Sequence, residues 1–297
     1  MVEIRPAVDT DAEGAAAILR EVDDARVLSA ASWLHLRRTS SPEDRVLNLV
    51  ADDGEVIAVG LGGLNRWTAE AGRGWCNIAV TGSRRCEGIG SALLDRLLRH
   101  FEDIGVAKAT TFFRQSEEGE RWALARGWAR LLSGPLVAVD PRTVTERAVP
   151  PGFRIASMAE AGPEAVYDAV LEAAPDEPRP EPVGQLPYED FIRGWNQPDV
   201  DLDVGTVVFH GDRVVAFTEM RIAGDRAQHG FTGCRRDYRG QGLATLVKTV
   251  ALTAAAARGV TRVTTSNADE NAAMRAVNRK LGFAPFGEHV IFGRDLD

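Results

Sequence analysis

The sequence predicts a mixed α/β protein built from two similar domains. Three observations predict it: the length of the chain, an internal repeat, and the same order of β-rich and helical segments in both halves. The chain has 297 residues, about twice the length of a typical domain, and is 44% hydrophobic, enough for each domain to bury a core. We expect an N-terminal domain over residues 1–140 and a C-terminal domain over residues 151–297.

The repeat is clearest around two glycine-containing segments. Arg85-Cys-Glu-Gly-Ile-Gly90 returns in the second half as Arg239-Gly-Gln-Gly-Leu-Ala244. Further pairs follow in the same order, Gly105 with Gly259 and Gly127 with Gly282. Several landmarks in one order indicate a duplicated domain rather than chance similarity.

Both halves show the same succession of elements. Alternating apolar residues and turn signals predict strands at 3–6, 47–51, 56–64, 74–80 and 108–113, and again at 153–156, 206–210, 214–222, 228–234 and 262–266. Helices are expected at 11–22 and 163–173, after each glycine-containing segment, and before Gly127 and Gly282. Leu93, Leu97 and Phe101 recur at helical spacing, which predicts one apolar face.

Composition and charge exclude several classes of function. With 35 Lys and Arg against 43 Asp and Glu, the net charge of −8 disfavours binding to nucleic acid. Cys76, Cys86 and Cys234 form no CxxC pair, and the five histidines lack metal-ligand spacing, so we expect neither a disulfide framework nor a metal site. The N-terminal residues do not resemble a signal peptide and no apolar run is long enough to span a membrane, so we expect a soluble cytoplasmic protein without membrane contact.

The glycine-containing segment has a chemical meaning. It follows a strand and opens directly into a helix, so its glycines allow close approach of a ligand and the helix start presents unpaired N–H groups to an anion. The segment lacks the GKS/T of nucleotide-hydrolysing P-loops and the dinucleotide-binding fingerprint. This pattern favours a site that binds a pyrophosphate group and does not hydrolyse it.

At these residues the sequence resembles the GNAT acyltransferase superfamily. The second half matches its pattern through Arg239, Gly242 and Ala244, then Asn267 and Asn271, and ends in Leu281-Gly-Phe283. The first half matches the loop and ends in Arg126-Gly-Trp128. The whole chain is similar in layout to tandem, mycothiol-synthase-like acetyltransferases.

The resemblance implies that acetyl-CoA is the cosubstrate. Loop amides would hold its pyrophosphate, and backbone at the ends of the fourth strands would contact the pantetheine arm and polarise the thioester carbonyl. The implied coenzyme A contacts are Val80, Arg85, Gly88, Gly90 and Ser91 in the first half, and Cys234, Arg239, Gly240, Gly242, Ala244, Thr245, Asn267 and Asn271 in the second.

The catalytic groups are less defined. Many superfamily members have a proton-donating Tyr four residues before the final Gly-Phe, where this chain has Asn278 and Ala123. A neutral amide is no general acid, so either Asn278 orients the sulfur or a water, or the thiolate leaves unaided. His229 is the favoured base, with Glu219 and Asp225 as alternatives.

The two halves are not equivalent. Phe113, Ser116 and Ala123 stand where the second half has Asn267, Asn271 and Asn278. We therefore expect a degenerate N-terminal domain and a catalytic C-terminal domain, with two active domains as the alternative.

The resulting hypothesis is an N-acyltransferase that moves acetyl from acetyl-CoA to a primary amine of a small molecule by direct attack. The alternatives are an O- or protein acetyltransferase on the same fold, or a non-catalytic acyl-CoA sensor. The protein would be a monomer or homodimer.

Overall fold

The computed structural model describes residues 2–296 and divides into two compact units. The first unit comprises residues 2–133, Pro180–Gln185 and 288–296, and the second comprises Gly134–Arg179 and Leu186–Gly287. The expected domains, 1–140 and 151–297, are contiguous in sequence, whereas each unit also contains a piece of the other half of the chain.

The first unit contains a mixed sheet with helices on both faces. Its strands are β1 (Glu3–Pro6), β2 (Leu47–Asp52), β3 (Val56–Leu64), β4 (Arg73–Val80) and β5 (Lys108–Arg114), which neighbour one another in that order. Its helices are α1 (Ala12–Val22), α2 (Ala30–Thr39), α3 (Ile89–Ile104) and α4 (Glu117–Leu124). The first four strands are antiparallel, whereas β5 runs parallel to β4 because α3 carries the chain across between them.

The apolar stripe predicted for α3 is confirmed. Leu93, Leu97 and Phe101 are fully buried in the core on one face of the sheet. Gly105 ends the helix with φ of 74°, a left-handed conformation that glycine adopts without steric cost. Residues of α1, such as Ala15 and Leu19, fill the core on the opposite face.

The second unit repeats this arrangement. Its strands are β7 (Phe153–Ser157), β8 (Thr206–His210), β9 (Arg213–Ala223), β10 (Arg226–Cys234), β11 (Arg262–Ser266) and, from Gly134 onward, β6 (Ala129–Val139). Its helices are α5 (Met158–Ala161), α6 (Pro163–Ala173), α7 (Tyr188–Trp195), α8 (Leu243–Ala257) and α9 (Ala272–Lys280). Strands β7 to β10 are antiparallel neighbours and β11 is parallel to β10. The elements predicted from the repeat are thus confirmed, with boundaries that shift by a residue or two.

The last strand of each sheet comes from the other half of the sequence. In the first unit, β12 (Ala284–Asp295) pairs with β5 in antiparallel register from His289 opposite Arg114 to Asp295 opposite Lys108. In the second unit, the end of β6 pairs with β11, from Leu136 opposite Ser266 to Val139 opposite Val263. Each unit therefore needs both halves of the chain to complete its sheet.

The proline-rich segment that follows Pro175 is largely irregular. Within the first unit, Gly184 N–H donates to the Trp67 carbonyl at 2.8 Å, and Ala69 N–H donates to the Pro182 carbonyl at 3.1 Å. Over residues 2–296, no helix combines the length and apolar character required to cross a membrane.

Candidate functional site

The two glycine-containing loops have nearly the same backbone geometry. Gly88 caps α3 with φ of 84°, and Gly242 caps α8 with φ of 80°. A Cβ at either position would meet no atom within 4 Å, so the space above both glycines is open. The first-turn amides of two long helices therefore face accessible space at the positive end of the helix dipole, which suits an anion.

An arginine ties each loop to the end of the preceding strand. Arg85 Nε donates to the Val80 carbonyl at 3.4 Å, and Arg239 Nε donates to the Cys234 carbonyl at 3.1 Å. The arginines, loops and strand ends predicted from the sequence thus come together in both units.

One loop residue has the left-handed backbone of its glycine counterpart although it is a cysteine. Cys86 has φ of 63° where its counterpart Gly240 has φ of 77°, and this conformation costs an L-residue about 1–2 kcal/mol. The hydrogen bond and charge of Glu118 raise the pKa of the Cys86 thiol, which favours the protonated form and disfavours a nucleophilic role.

The parallel strands separate before they reach the loops. In the first unit, β4 and β5 pair only as far as Cys76 and Thr111. In the second unit, β10 and β11 pair only as far as Gln228 and Thr264, and the register of β10 against β9 shifts between His229 and Thr232. A gap thus opens in each sheet next to each loop and leaves backbone groups of β4 and β10 free of a strand partner on that side.

The gap of the first unit belongs to a cavity of about 820 Å³. All five first-half residues predicted to contact coenzyme A line it, namely Val80, Arg85, Gly88, Gly90 and Ser91. Six arginines also line it, Arg26, Arg84, Arg85, Arg114, Arg121 and Arg126, against the two acids Asp23 and Glu118. Arg126 donates to Ser91 Oγ at 2.6 Å and lies over the Trp122 ring. An excess of arginine beside a helix N-terminus suits a ligand with several phosphates.

The three asparagines of the second unit occupy different environments. Asn278 Nδ2 donates to Asn267 Oδ1 at 2.7 Å, and buried Asn278 Oδ1 has no hydrogen-bond partner among residues 2–296. Asn271 instead caps α9, since its Oδ1 accepts from Met274 N–H at 3.1 Å. Asn271 therefore has a structural task that uses its carbonyl oxygen and leaves its amide nitrogen for another partner.

The structure does not bring the candidate bases together. His229 Nδ1 lies 3.2 Å from Thr218 Oγ1, so these side chains share one face of β9 and β10. Glu219 is the next residue of β9 and points to the opposite face, where it pairs with Arg221 at 2.7 Å. Asp225 lies in the turn before β10, at the end of that strand remote from the loop.

His229 shares a buried environment with Lys248 of α8, a residue that the sequence analysis missed. The Lys248 ammonium lies 5.4 Å from the Phe283 ring centroid, and burial lowers its pKa to about 7. Burial, followed by the charge of Lys248, lowers the pKa of His229 well below its ordinary value, and its Nε2 has no partner within the described chain. A lysine inside the apolar run of 243–252 was the signal available in the sequence.

The sequence analysis also missed a buried acid–imidazole pair in the first unit. Asp23 follows α1, and His289 lies on β12; the His289 Nε2 and Asp23 Oδ2 atoms are 3.1 Å apart. No local pattern relates these two residues, because the pairing of β12 with β5 creates their contact. Across residues 2–296, no cluster of three or more His, Cys, Asp or Glu side chains could hold a metal ion.

This geometry can be compared with known proteins. The sequence profile of the acetyltransferase (GNAT) family matches residues 15–122 and again 165–283. The chain belongs to the GNAT acetyltransferase family. It has two tandem GNAT domains of mixed α/β fold, and its family is one of transferases that use acetyl-CoA.

Solved structures show the same tandem GNAT fold. A tandem GNAT protein from the clavulanic acid biosynthesis pathway, in a form without acetyl-CoA, matches with a TM-score of 0.76, 19% identity, 100% of this chain and 99% of that chain. A GCN5-related N-acetyltransferase from Sphaerobacter thermophilus matches with a TM-score of 0.71, 18% identity and 99% and 96% coverage. No curated protein matches the sequence significantly. At these identities, the solved structures establish the GNAT fold alone.

Proposed function

We propose that this GNAT protein transfers an acetyl group from acetyl-CoA to a primary amine of a small molecule, by direct attack of the amine on the thioester. The observation that carries the proposal is the duplicated loop, in which a left-handed glycine opens a helix N-terminus beside a gap between parallel strands. The loop suits a pyrophosphate, and the gap suits an extended arm with amide groups.

The residues of the loops, the strand ends and the first-unit cavity fit acetyl-CoA in charge and in shape. In the first unit, the arginine-lined cavity of about 820 Å³ begins at the loop and continues through the gap. In the second unit, Arg239, Gly240 and Gly242 of the loop would hold the pyrophosphate, together with Ala244 and Thr245 in the first turn of α8. The strand ends at Val80 and Cys234 would contact the pantetheine arm.

The second unit is the proposed site of transfer. The Asn267–Asn278 pair supplies amide groups at positions where the first unit has Phe113 and Ala123, and buried Asn278 Oδ1, which has no partner in the described part of the chain, can accept from a donor on the ligand. Burial keeps His229 uncharged at neutral pH, so its imidazole has a lone pair that can accept the proton of the acceptor ammonium, and the same burial makes it a weaker base than an exposed imidazole. Glu219 is the second candidate for this role, from the other face of the sheet. The thiolate leaves without a protein acid, since Asn278 cannot donate a proton.

Calorimetric titration with acetyl-CoA tests the proposal, using wild-type protein, Gly88→Val and Gly242→Val. Each substitution places a bulky side chain over one loop, and we expect each to weaken acetyl-CoA binding at its own unit by at least about tenfold, with the other unit unaffected. Gly105→Val and Gly259→Val are matched controls, because both glycines have positive φ and no described atom within 4 Å of a Cβ, and they follow the ends of α3 and α8 that are opposite to the loops. Binding that survives both loop substitutions would contradict the loop assignment.

Turnover distinguishes the enzyme from its alternatives. With a set of primary amines, we expect release of free coenzyme A thiol that depends on the amine. Gly242→Val should remove the part of this release that the second unit catalyses. Acetyl-CoA binding without thiol release for any amine would favour a non-catalytic acyl-CoA sensor. Turnover with alcohols or proteins alone would favour an O- or protein acetyltransferase.

A further inference from the structure

The cavity of the first unit extends through the sheet. It reaches Ser91 and Trp122 on the side of α3 and α4, and Leu19 and Asp23 on the side of α1. The separation of β4 and β5 beyond Cys76 and Thr111 provides the passage. A ligand whose phosphates lie at the Gly88 loop can therefore extend its far end to the α1 side.

Asp23 is the carboxylate at that far end. It is only 4% exposed, its Oδ1 accepts from Ala25 N–H at 3.2 Å, and its Oδ2 lies 3.1 Å from His289 Nε2 and 3.8 Å from Arg26 Nε. Burial acts to raise the pKa of Asp23, but the hydrogen bonds from His289 and Ala25 and the charge of Arg26 act to lower it, and the pKa is lowered. Asp23 is thus an ionised group in the wall of the cavity.

His289 completes the pair. It is 4% exposed and packs edge-on against Phe112, a cavity-lining residue, with ring centroids 4.3 Å apart. Because the Asp23 carboxylate can only accept, Nε2 carries the proton and Nδ1 carries the free lone pair. Nδ1 is buried and has no hydrogen-bond partner among residues 2–296, so its lone pair is available to a ligand amine or a water that approaches past Asp23 and Phe112.

The charged groups around the pair come from three elements. Arg26 lies in the segment after α1, and Arg114 of β5 forms an ion pair with Asp24 at 2.6 Å. His289 itself comes from β12. A carboxylate that orients an imidazole, whose second nitrogen is available, is the arrangement of a general base.

We propose that Asp23 and His289 form the proton-accepting pair of a second acyl-transfer centre, located in the first unit and acting on a primary amine. The inference rests on the proposed function, since it requires acetyl-CoA in the first-unit cavity. His289 Nδ1 takes one proton from the acceptor ammonium, directly or through one water. The amine nitrogen then forms a bond to the acetyl carbon, the carbon–sulfur bond breaks, and the sulfur leaves as the coenzyme A thiolate. The second proton of the nitrogen is lost as the amide forms; one of the two protons converts the thiolate into the coenzyme A thiol, and the other passes to solvent as His289 returns to its neutral form.

The test uses the full chain with Gly242→Val, which leaves the first unit as the site of acetyl-CoA binding. Thiol release is measured with acetyl-CoA and each of glucosamine, spermidine, ethanolamine and the free amino acids. We expect turnover with at least one amine. Adding His289→Gln, which keeps a donor for Asp23, should lower kcat by about a hundredfold and leave the Kd of acetyl-CoA within about twofold.

Asp23→Asn gives an independent result with almost unchanged side-chain volume, and we expect a loss of about tenfold in kcat. His100→Gln is the control, since His100 lies on α3 outside the cavity and contacts the Arg45 carbonyl. A His289→Gln protein with unchanged kcat would overturn the inference. Turnover by wild-type protein but none by Gly242→Val would also overturn it and leave the proposed function standing. Absence of turnover in both proteins would instead count against the proposed function.

Discussion

Lys248 is a basic residue in a buried and mostly apolar part of helix α8. Nine of the fifteen residues of this helix are buried, among them Leu243, Leu246, Val247 and Leu252, and Lys248 is only 1% exposed. A charged ammonium in such a place loses its hydration, which explains the lowered pKa of about 7. The pKa of the neighbouring His229 is lowered as well, by burial and then by the charge of Lys248.

The burial of Lys248 predicts a pH-dependent stability. Between the folded pKa of about 7 and the ordinary value of 10.5, the unfolded chain holds a proton that the folded chain has lost, so the free energy of unfolding rises with pH in this window. We expect Lys248→Met to remove this rise, which approaches about 1.4 kcal/mol per pH unit, and to be the more stable protein at pH 7. Urea denaturation between pH 6 and pH 9 measures both effects.

The exposed Lys280 of α9 offers the comparison. Lys280→Met should leave the pH dependence of unfolding as it is in the wild-type protein. A wild-type stability that stays flat across the window, or a Lys248→Met protein that retains the rise, would show that Lys248 is not the source.

Individual residues differ in how far the sequence predicts them. Gly88 and Gly242 were identifiable because a left-handed turn before a helix is a local requirement that glycine meets best. Asn278 was identifiable as polar but not as the partner of Asn267, because their contact depends on how α9 packs. The roles of His229, Glu219 and Asn278 in catalysis stay predictions.

Among the elements, β12 has the clearest energetic role. Phe292 is 1% exposed in the core of the first unit and stacks on Phe113 with ring centroids 5.4 Å apart. Strand β12 also gives β5 its second neighbour in the sheet. A C-terminal strand thus contributes both backbone hydrogen bonds and apolar contacts to a core formed mainly by the N-terminal half.

We expect Phe292→Ala to lower the free energy of unfolding of the first unit by about 3–5 kcal/mol, because it leaves a cavity in a packed core. Hydrogen exchange measures this loss of stability directly, because the β5 amides should exchange faster in the variant. Leu124→Ala serves as the control, since Leu124 is 57% exposed and its loss should change stability by no more than about 0.5 kcal/mol. Unchanged exchange in β5 after Phe292→Ala would contradict the role assigned to β12.

For the whole molecule, the net charge is negative, whereas arginines outnumber acids in the lining of the first-unit cavity. The protein carries −8, which repels an anionic ligand at long range, whereas the first-unit cavity has six arginines and two acids. Affinity for a phosphorylated ligand must therefore come from short-range contacts inside the cavity.

This contrast predicts the effect of salt. In the Gly242→Val protein, raising NaCl from about 50 mM to about 500 mM should weaken acetyl-CoA binding by about fivefold, because salt screens the arginine–phosphate attraction. Calorimetric titration at both salt concentrations measures the change. Equal affinity at both concentrations would indicate that the arginines do not contact the phosphates.

The sequence by itself determined the duplicated mixed α/β fold, the order of elements, the family, and the two glycine loops with their arginines. These features depend on local rules, namely residue periodicity, the backbone freedom of glycine and helix termini, and each occurs twice in the chain. Only the tertiary structure decided that β6 and β12 complete the sheet of the other half, that Asp23 meets His289, and that Lys248 is buried beside His229. The physical reason is that strand pairing and burial join residues far apart in sequence, and no local pattern specifies which distant strand occupies an open sheet edge.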